Sequence, residues 1–514
     1  MSALAAAVPA APTFDWAALS PLLALLGGAV VVLMVGLAGS EFVRSMVVPG
    51  LALLSFAIAI GCLAWQWNTT SLLVEGALIM DPMTAALGVL VCATGLVASL
   101  LAWRDRAARE LAHGEFFALL LTVAAGMFVL ISARNLVVTF VGLELLSLPL
   151  YILCASRIRR EHSLEAGLKY LIVGSVGSAT LLYGFALVYG ATGQTGYREI
   201  AAALSATDLV SDPLLLAGLA LAVVGFAFKA SLAPFHQWTP DVYEGAPTPV
   251  TAFMSVATKA AAFAALIRFF DVAVPSALDF WRPAWIAIAV ISIVVGNVGA
   301  IGQRSMKRML AYSSIAQAGY LLIGFVVYTD LGIEAVVYYL FVYALANLAA
   351  FAVVIARERE TSLGDSIDAL RGLGARSPAL GAAMTFAMLS LAGIPATAGF
   401  VGKFTLLESA ADGYAWLAVV LVLGSVVSLA YYLPVVSAIW FDEAESPEPG
   451  PDAASGVPAL AGGSPEADAG PPTVGAGEAS FVAVVLGVAI IFFGIITGPL
   501  YDLVGAVARG LGLG

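Results

Sequence analysis

The chain has 514 residues, of which 61% are apolar and only 11% are charged, and its mean hydropathy is +0.98. Soluble domains are about 45–50% apolar and about 25% charged, so this composition excludes a water-soluble globule. The 23 Lys and Arg residues are outnumbered by 34 Asp and Glu residues, which argues against nucleic-acid binding. Three scattered cysteines are too few for a disulfide framework, a four-cysteine zinc site or an iron–sulfur cluster.

Apolar stretches long enough to cross a bilayer recur along the chain; each crossing takes about 20 mostly apolar residues. Because backbone polar groups in lipid must be satisfied internally, these stretches predict an all-α integral membrane protein with about 14 transmembrane helices. In chain order the predicted spans are Leu19–Ala38, Met46–Gln66, Pro82–Trp103, Phe116–Ile131, Leu136–Ala155, Glu165–Tyr189, Pro213–Phe235, Val250–Phe269, Pro283–Ile301, Met309–Val327, Ile333–Ala356, Pro378–Phe400, Tyr414–Trp440 and Phe481–Val504.

The basic residues are distributed unevenly between the two sides that these spans define. With the N-terminus outside, the inward segments hold 14 Lys and Arg residues and the outward segments hold five. Short loops with an excess of Lys and Arg lie on the cytoplasmic side. The charge pattern therefore predicts that both termini lie on the outer side of the membrane.

One segment, residues 442–479, differs in composition from the rest of the chain. It is rich in Pro, Gly and Ala, and it holds eight acidic residues and no basic residue. Such a segment cannot bury enough apolar surface to order itself, which predicts a flexible inward loop before the last span. Either it is a solvated linker, or it is a docking tail for another subunit.

The five lysines of the chain are unusually placed. Only Lys307 is predicted to lie in a loop, whereas the other four lie within or at the edge of apolar spans: Lys169, Lys229, Lys259 and Lys403. A charged amine at mid-membrane costs about 2.5–3.5 kcal/mol even on the translocon-insertion scale, which gives lower costs than simulations do. Burial disfavours the charged form, and a nearby carboxylate favours it again, so a lysine placed in this way can hold or release a proton. This is the chemistry of a proton relay.

Two of the ionisable residues are predicted to lie deep in the membrane. At about 1.5 Å of rise per residue, Lys259 lies roughly 15 Å past Pro249, and Glu144 lies roughly 12 Å past Leu136. The alternative reading of such residues is a static buried ion pair that holds helices together. One carboxylate cannot pair with three buried lysines, however, so a static role leaves charges unaccounted for.

Two further residues are candidates for secondary roles. Lys169 follows Glu165 by four residues, so the two side chains could form an ion pair on one helix face. His236 lies near the inward end of its span, where a histidine could pass protons to bulk water. A polar residue that merely ends a helix is an equally good reading of His236.

Two predicted spans are interrupted by proline, at Pro234 in FKASLAPFHQW and at Pro395 in LSLAGIPATAGFVGKF. Both strings contain Ser-Leu-Ala before the proline and have a lysine nearby. Interrupted helices in corresponding positions of two halves mark the ion path in transporters that are built from repeats. The pattern therefore predicts two repeats, over residues 116–269 and 283–440.

Four strings together resemble a known family. VGLELLSLPLYIL, FKASLAPFHQWTPDVYEGAPTPVTAF, KRMLAYSSIAQAGYLLIG and SLAGIPATAGFVGKF are similar to the subunit N family, the antiporter-like membrane subunits of proton-pumping NADH–quinone oxidoreductase, or respiratory complex I. The resemblance runs from about residue 116 to residue 440. It implies two inverted five-helix repeats with two broken helices. It further implies a multi-pass protein of the bacterial inner membrane with both termini on the periplasmic side.

The resemblance also implies roles for particular residues. The family's fifth-helix glutamate falls on Glu144, and its membrane lysines fall on Lys169, Lys229, Lys259 and Lys403. These residues are expected to relay protons across the membrane. The chain itself is expected to hold no cofactor, because flavin, iron–sulfur clusters and quinone belong to partner subunits in this family. Expected partners are other complex I subunits, especially neighbouring antiporter-like and small membrane-arm subunits, together with the lipid bilayer.

The resemblance extends to the whole domain layout. The expected regions are three N-terminal transmembrane helices (1–115), a first repeat (116–269), a second repeat (283–440), the acidic loop (442–479) and a final transmembrane helix (480–514). The acidic loop is the departure from the family pattern. Two other functions stay open: a cation/proton antiporter subunit with no redox partner, and a structural spacer whose buried charges only pair helices.

Overall fold

A computed structural model describes residues 14–38, 40–207, 209–361, 363–443 and 476–511. Helices dominate these residues because a helix satisfies its own backbone hydrogen bonds away from water. Within the described ranges the α-helices are α1 (Ser20–Gly36), α2 (Val48–Trp65), α3 (Pro82–Ala102), α4 (Arg106–Glu110), α5 (His113–Ser132), α6 (Leu136–Cys154), α7 (Glu161–Thr192), α8 (Tyr197–Ala206), α9 (Pro213–Lys229), α10 (Trp238–Gly245), α11 (Thr248–Ile267), α12 (Leu278–Ala300), α13 (Met306–Val327), α14 (Asp330–Glu360), α15 (Leu373–Arg376), α16 (Pro378–Ala392), α17 (Ala398–Ala411), α18 (Ala415–Trp440), α19 (Gly477–Ile495) and α20 (Gly498–Leu511).

The all-α prediction has one small exception, a β-hairpin between α2 and α3. Strands β1 (Ser71–Leu73) and β2 (Leu78–Met80) pair in antiparallel register. The chain then enters α3 through Asp81, whose side chain accepts a hydrogen bond of 2.8 Å from the backbone N–H of Thr84. This contact is an N-cap, which satisfies one of the donors left free at a helix start.

Eleven helices of the described residues are long and apolar enough to cross a membrane. Three further apolar helices are shorter, namely α1, α9 and α16. Every predicted span falls on a helix, but the last one was wrong in its continuity, because α19 ends at Ile495 and α20 begins at Gly498. A Gly-Pro pair follows this interruption, and both residues are poor helix formers in the interior of a helix. The total of 14 crossings stays a prediction.

Both predicted proline interruptions are confirmed. Helix α9 ends at Lys229 and α10 begins at Trp238, whereas α16 ends at Ala392 and α17 begins at Ala398. We call the residues between α9 and α10 the first break and those between α16 and α17 the second break. Each break leaves the last carbonyls of one helix without partners from that helix.

The Ser-Leu-Ala tripeptide near each break adopts two different local structures. Residues Ser231–Ala233 lie in the first break, beyond the end of α9, whereas Ser390–Ala392 form the last turn of α16. Ser231 has a φ of 61° in the first break, and Gly393 has a φ of 85° at the start of the second. The shared letters therefore do not correspond to a shared backbone.

The centre of the bundle is formed by α11, α13 and α14. Every residue of α11 is buried, and almost all of α13 is buried as well. By contrast, α18 and α19 bury only one face and expose rows of large apolar side chains. Polar side chains on α11, α13 and α14 therefore lie deep inside the protein.

The acidic segment 442–479 lies largely outside the described residues, which stop at Glu443 and resume at Ala476. Its last acidic residue belongs to a helix and not to the predicted loop, because α19 begins at Gly477. Glu478 lies in the first turn of α19, and its Oε1 atom is 2.8 Å from Nη1 of Arg359.

Candidate functional site

Lys229 is the last residue of α9, and its amine is buried where the helix stops. The residue is 4% exposed, and its Nζ donates a hydrogen bond of 2.7 Å to Oγ of Ser147 on α6. The Ser147 hydroxyl donates in turn to the carbonyl of Leu143. The amine also lies 5.8 Å from the centroid of the Tyr170 ring, within cation–π range. A lysine ammonium has three donors, so Lys229 has fewer acceptors here than its charged form can use.

Glu144 lies one helical turn before Ser147 on α6 and is partly buried. Its charge acts on Lys229, but among the described residues no ion pair within 4.0 Å joins the two side chains. The Oε1 atom of Glu144 is buried and has no hydrogen-bond partner in the described part of the chain. Pro149, inside the same helix, lacks an N–H and so frees a carbonyl one turn earlier. Glu144 and Lys229 are therefore electrostatic neighbours, and Ser147 makes the contact with the amine.

Lys259 lies in the middle of α11 and is 2% exposed. Its Nζ donates to the backbone carbonyl of Ser314 on α13 at 2.6 Å and lies 5.7 Å from the centroid of the Tyr343 ring. The Tyr343 hydroxyl donates to Oγ of Ser314 at 3.0 Å, which fixes this corner of the core. No carboxylate of the described residues lies within ion-pair distance of the Lys259 amine.

Lys403 lies on α17 and reaches back across the second break. Its Nζ donates to the carbonyls of Leu391 and Ala392, at 2.8 and 3.1 Å, and to Oγ of Ser425 on α18 at 3.0 Å. The two carbonyls belong to the last turn of α16, the negative end of that helix dipole. The residue is 5% exposed, and the Tyr320 ring centroid is 4.7 Å from the amine. Three acceptors match the three donors of an ammonium.

Helix α13 carries polar side chains between Lys259 and Lys403. Beside the α13 carbonyl that Lys259 contacts, the hydroxyls of Ser313 and Tyr432 share a hydrogen bond. The amide of Gln317, one turn along α13, donates to the Tyr432 hydroxyl at 3.3 Å. It also donates at 3.1 Å to the α16 carbonyl that accepts from Lys403. We call the side chains of Ser313, Gln317 and Tyr432 the α13 seam. They form a chain of polar groups between the amines of Lys259 and Lys403.

Lys169 and His236 differ from the three buried lysines. Lys169 is 43% exposed, and its Nζ lies 2.6 Å from Glu165, which confirms the predicted pair one turn away, and 3.0 Å from Asp241. His236 lies in the first break and is half-buried. Its Nδ1 atom is buried without a hydrogen-bond partner among the described residues. The described contacts join neither residue to the α13 seam.

The prediction that Lys307 lies in a loop was wrong. Helix α13 begins at Met306, so Lys307 is helical, and it is only 3% exposed. The side chain of Ser305 N-caps this helix by accepting from the N–H of Arg308, which starts the helix three residues before the predicted span. Apolar length alone did not reveal this start, because a Lys-Arg pair lowers the hydropathy of the first turn.

Paired charges collect at the end of the bundle where α3, α6 and α14 stop, here called the basic end. Arg157 lies 3.1 Å from Asp105, and Arg359 contacts both Glu478 and the carbonyl of Leu101. Burial alone would raise the pKa of Asp105, but the charges of Arg157 and Arg359 hold the pKa of that carboxyl below its usual value. These segments belong to the set that the charge count predicts to face inward.

Sequence reasoning identified the lysines but missed the neutral groups that hold them. A signal for some of these was available, because Ser147 follows Glu144 by three residues and so shares its helix face. In the string YSSIAQ, Ser313 and Gln317 are four residues apart, a spacing that also places two side chains on one helix face. No local signal marks Ser425 as a partner of Lys403, since that contact depends on the packing of α17 against α18.

The fold and these contacts define a class, that of polytopic helical membrane proteins with ionisable side chains inside the bundle. Such residues mark ion and proton pathways in membrane proteins. Within the described residues, no group of three or more His, Cys, Asp or Glu side chains could hold a metal ion.

Comparison with known proteins narrows this class. The family model described as NADH:quinone oxidoreductase/Mrp antiporter, TM, matches residues 133–428. The chain is 40% identical to NADH-quinone oxidoreductase subunit N 1 of Herpetosiphon aurantiacus, over 86% of this chain and 91% of that protein. It is 44% identical to NADH-quinone oxidoreductase subunit N of Moorella thermoacetica, over 76% of this chain and 82% of that protein. A chain of respiratory complex I from Thermus thermophilus is 36% identical, with a TM-score of 0.76 over 95% of this chain and 100% of that one.

The chain therefore belongs to the NADH:quinone oxidoreductase/Mrp antiporter family of membrane subunits. Within it, the relatives described above are subunits N of NADH-quinone oxidoreductase.

Proposed function

We propose that the protein is a proton-translocating membrane subunit of an NADH–quinone oxidoreductase in a bacterial inner membrane. The observation that carries the proposal is the burial of Lys229, Lys259 and Lys403 inside one membrane bundle, without a carboxylate of the described residues in ion-pair contact. A static role would call for such partners, because an uncompensated buried charge is costly. An amine that can also be neutral avoids that cost, and alternation between the two forms carries protons.

The proposed relay uses each residue in turn. Glu144 acts electrostatically on Lys229, so a change in their separation shifts the balance between the charged and neutral amine. Lys259 carries the proton along the middle of the bundle, and the α13 seam leads from there to Lys403. Moving one charge against 100 mV costs about 2.3 kcal/mol, so the relay must be switched and not permanently open. Lys169 and His236 are assigned secondary roles on the inward side.

The finer architecture is part of the same proposal. Eleven long and three shorter apolar helices of the described residues support 14 crossings, with both termini on the periplasmic side. Two inverted five-helix repeats, over 116–269 and 283–440, would place one broken helix in each half.

The energy source and the partners lie outside this chain. Flavin, iron–sulfur clusters and quinone are proposed to be held by other subunits, where electron transfer from NADH to quinone releases the energy that drives proton movement. The subunit would contact neighbouring antiporter-like and small membrane-arm subunits. The 442–479 segment is proposed as a solvated inward linker; a docking tail for a partner subunit is the alternative.

The test replaces Lys229 or Glu144 with alanine in the assembled complex and measures NADH-driven proton pumping in membrane vesicles. Both variants are expected to lose most pumping, because removal of a proton-transfer group typically costs on the order of 10²-fold or more. Near-normal pumping in both variants would overturn the assigned roles. Arg371→Met is the matched control, since it removes an exposed cation whose pair with Asp368 is 43% and 48% exposed.

Purification separates the other two functions. Flavin and iron–sulfur subunits that co-purify with the chain support the proposal, whereas sodium/proton exchange without NADH would support an antiporter. A structural spacer predicts that charge-neutral double replacements, such as Glu144→Gln with Lys229→Met, keep full pumping.

A further inference from the structure

Lys307 is a buried cation that the relay described above does not use. It lies in the first turn of α13 at the basic end and is 3% exposed. Its Nζ donates a hydrogen bond of 2.6 Å to the carbonyl of Ala246, the residue that follows the last turn of α10. No carboxylate of the described residues is within ion-pair distance of this amine. It therefore resembles Lys229 and Lys259, which also have one acceptor each.

A carboxylate lies beside the same short stretch of chain. Both oxygens of Glu358 on α14 accept from the hydroxyl of Thr248, each at 2.8 Å. Thr248 is only two residues beyond Ala246, so Lys307 binds the residue just after α10 and Glu358 binds the first residue of α11. The charge of Glu358 acts on the amine, and Glu358 is partly exposed.

The other groups that face Lys307 come from three segments. Asp365, after α14, acts on the amine with the same sign as Glu358, and the guanidiniums of Arg157 and Arg160 oppose it. The buried thiol of Cys154, the last residue of α6, is within electrostatic reach of both Lys307 and Lys229. Lys307 thus lies between the charged surface of the basic end and the first lysine of the proposed relay.

We propose that Glu358 and Lys307 form the proton-loading pair of this subunit. Glu358 takes a proton from water at the basic end and transfers it to the neutral amine of Lys307. The carboxylate and an ammonium are thereby formed. The ammonium then gives the proton to the neutral amine of Lys229, and Lys307 returns to its neutral form. This inference rests on the proposed function and extends it with an entry site.

The test compares Lys307→Arg, Lys307→Gln and Glu358→Gln in the complete complex. Arg and Gln both keep a donor for the Ala246 carbonyl, but neither can release a proton to a neighbour at neutral pH. Initial rates of NADH-driven pumping are expected to fall on the order of 10²-fold in the two Lys307 variants. If Lys307 has a purely structural role, Lys307→Arg or Lys307→Gln should pump at the wild-type rate.

Assembly and relay function are followed in the same preparations. The amount of assembled complex, measured on native gels, separates failure to fold from failure to pump. Because the Arg and Gln side chains differ in size, a steric misfit of one of them would not also affect the other. Lys229→Met is measured alongside. Wild-type pumping in Lys307→Arg with none in Lys229→Met overturns only the loading pair, whereas normal pumping in Lys229→Met overturns the proposed function itself.

Discussion

The two breaks hold their lysines in opposite ways. At the first break, Lys229 ends α9 and points its amine away from its own helix, to a single hydroxyl on α6. At the second break, Lys403 lies on the helix after the gap and donates to the two carbonyls that end the helix before it. One lysine therefore bonds across to a neighbouring helix, and the other joins the two halves of its own broken helix.

This difference separates a mobile proton site from a site that is also structural. The second amine has three acceptors and closes a helix end, so its charged form is well satisfied. The first amine has one acceptor and a carboxylate nearby that does not contact it, so its charge depends on small movements of Glu144. We infer that the first break is the place where a conformational change most easily alters proton affinity.

The largest expected effect is a difference in stability between two matched replacements. Lys403→Met leaves two buried carbonyls of α16 without this donor and should destabilise the subunit by about 1–3 kcal/mol. Lys229→Met removes the ring contact with Tyr170 and one hydrogen bond to Ser147, whose hydroxyl keeps its bond to Leu143, so stability should change less. Thermal unfolding of the purified complex checks this. Equal unfolding midpoints in the two variants would contradict the structural role of Lys403.

The second prediction tests how closely the chain approaches Lys403 at its break. A Cβ added to Gly393 would lie 2.8 Å from Cδ of Lys403, and the residue has a φ of 85°. Gly393→Ala should lower pumping roughly tenfold, because about 1–3 kcal/mol of overpacking displaces the amine. Gly413→Ala is the matched control, since its φ is 89° but a Cβ there meets nothing within 4 Å. Equal pumping rates in both would mean that backbone strain alone matters.

The sequence predicted the helices, the positions of both breaks and three of the four buried lysines, because all of these follow from local composition. Apolar length predicts helices in lipid, proline interrupts them, and lysine stands out where charge is rare. The burial of Lys307 and the exposure of Lys169 could not be predicted in this way. Both depend on which helix faces which, and hydropathy along the chain carries no such information.

The contacts of the lysines were equally beyond the sequence. Ser425 and the last carbonyls of α16 meet the Lys403 amine only because α17 packs against α18 and against the end of α16. The close approach of Gly399 to the Ser390 carbonyl shows how tight that packing is, since a Cβ on Gly399 would collide with the carbonyl. The recurring Ser-Leu-Ala was misleading as a guide to equivalent backbone, because it is helical in one half only.

A smaller effect is expected from the serine partners of the two amines. Ser147→Ala removes the only hydrogen-bond acceptor of Lys229 among the described residues, whereas Ser425→Ala leaves Lys403 with two. If loss of the Ser147 hydrogen bond raises the barrier to proton transfer by about 1 kcal/mol, pumping should slow about fivefold. Ser425→Ala should stay close to wild type, and pumping rates measured in the same vesicles compare the two. A larger loss of pumping in Ser425→Ala than in Ser147→Ala would contradict the inference that the first break is the more sensitive proton site.

The smallest expected effect concerns the pH dependence of stability at the basic end, outside both breaks. Because Arg157 and Arg359 lower the pKa of Asp105, its contribution to folding is complete above the ordinary aspartate pKa of about 3.9 and is lost as the pH falls through the lower folded value. The stability difference between wild type and Asp105→Asn should therefore be constant from about pH 5 to pH 8 and shrink in stronger acid. Unfolding midpoints across that range measure it. A difference that already changes between pH 6 and pH 8 would contradict a lowered pKa for Asp105. If it stays constant, any pH dependence of pumping near neutrality comes from groups other than this pair.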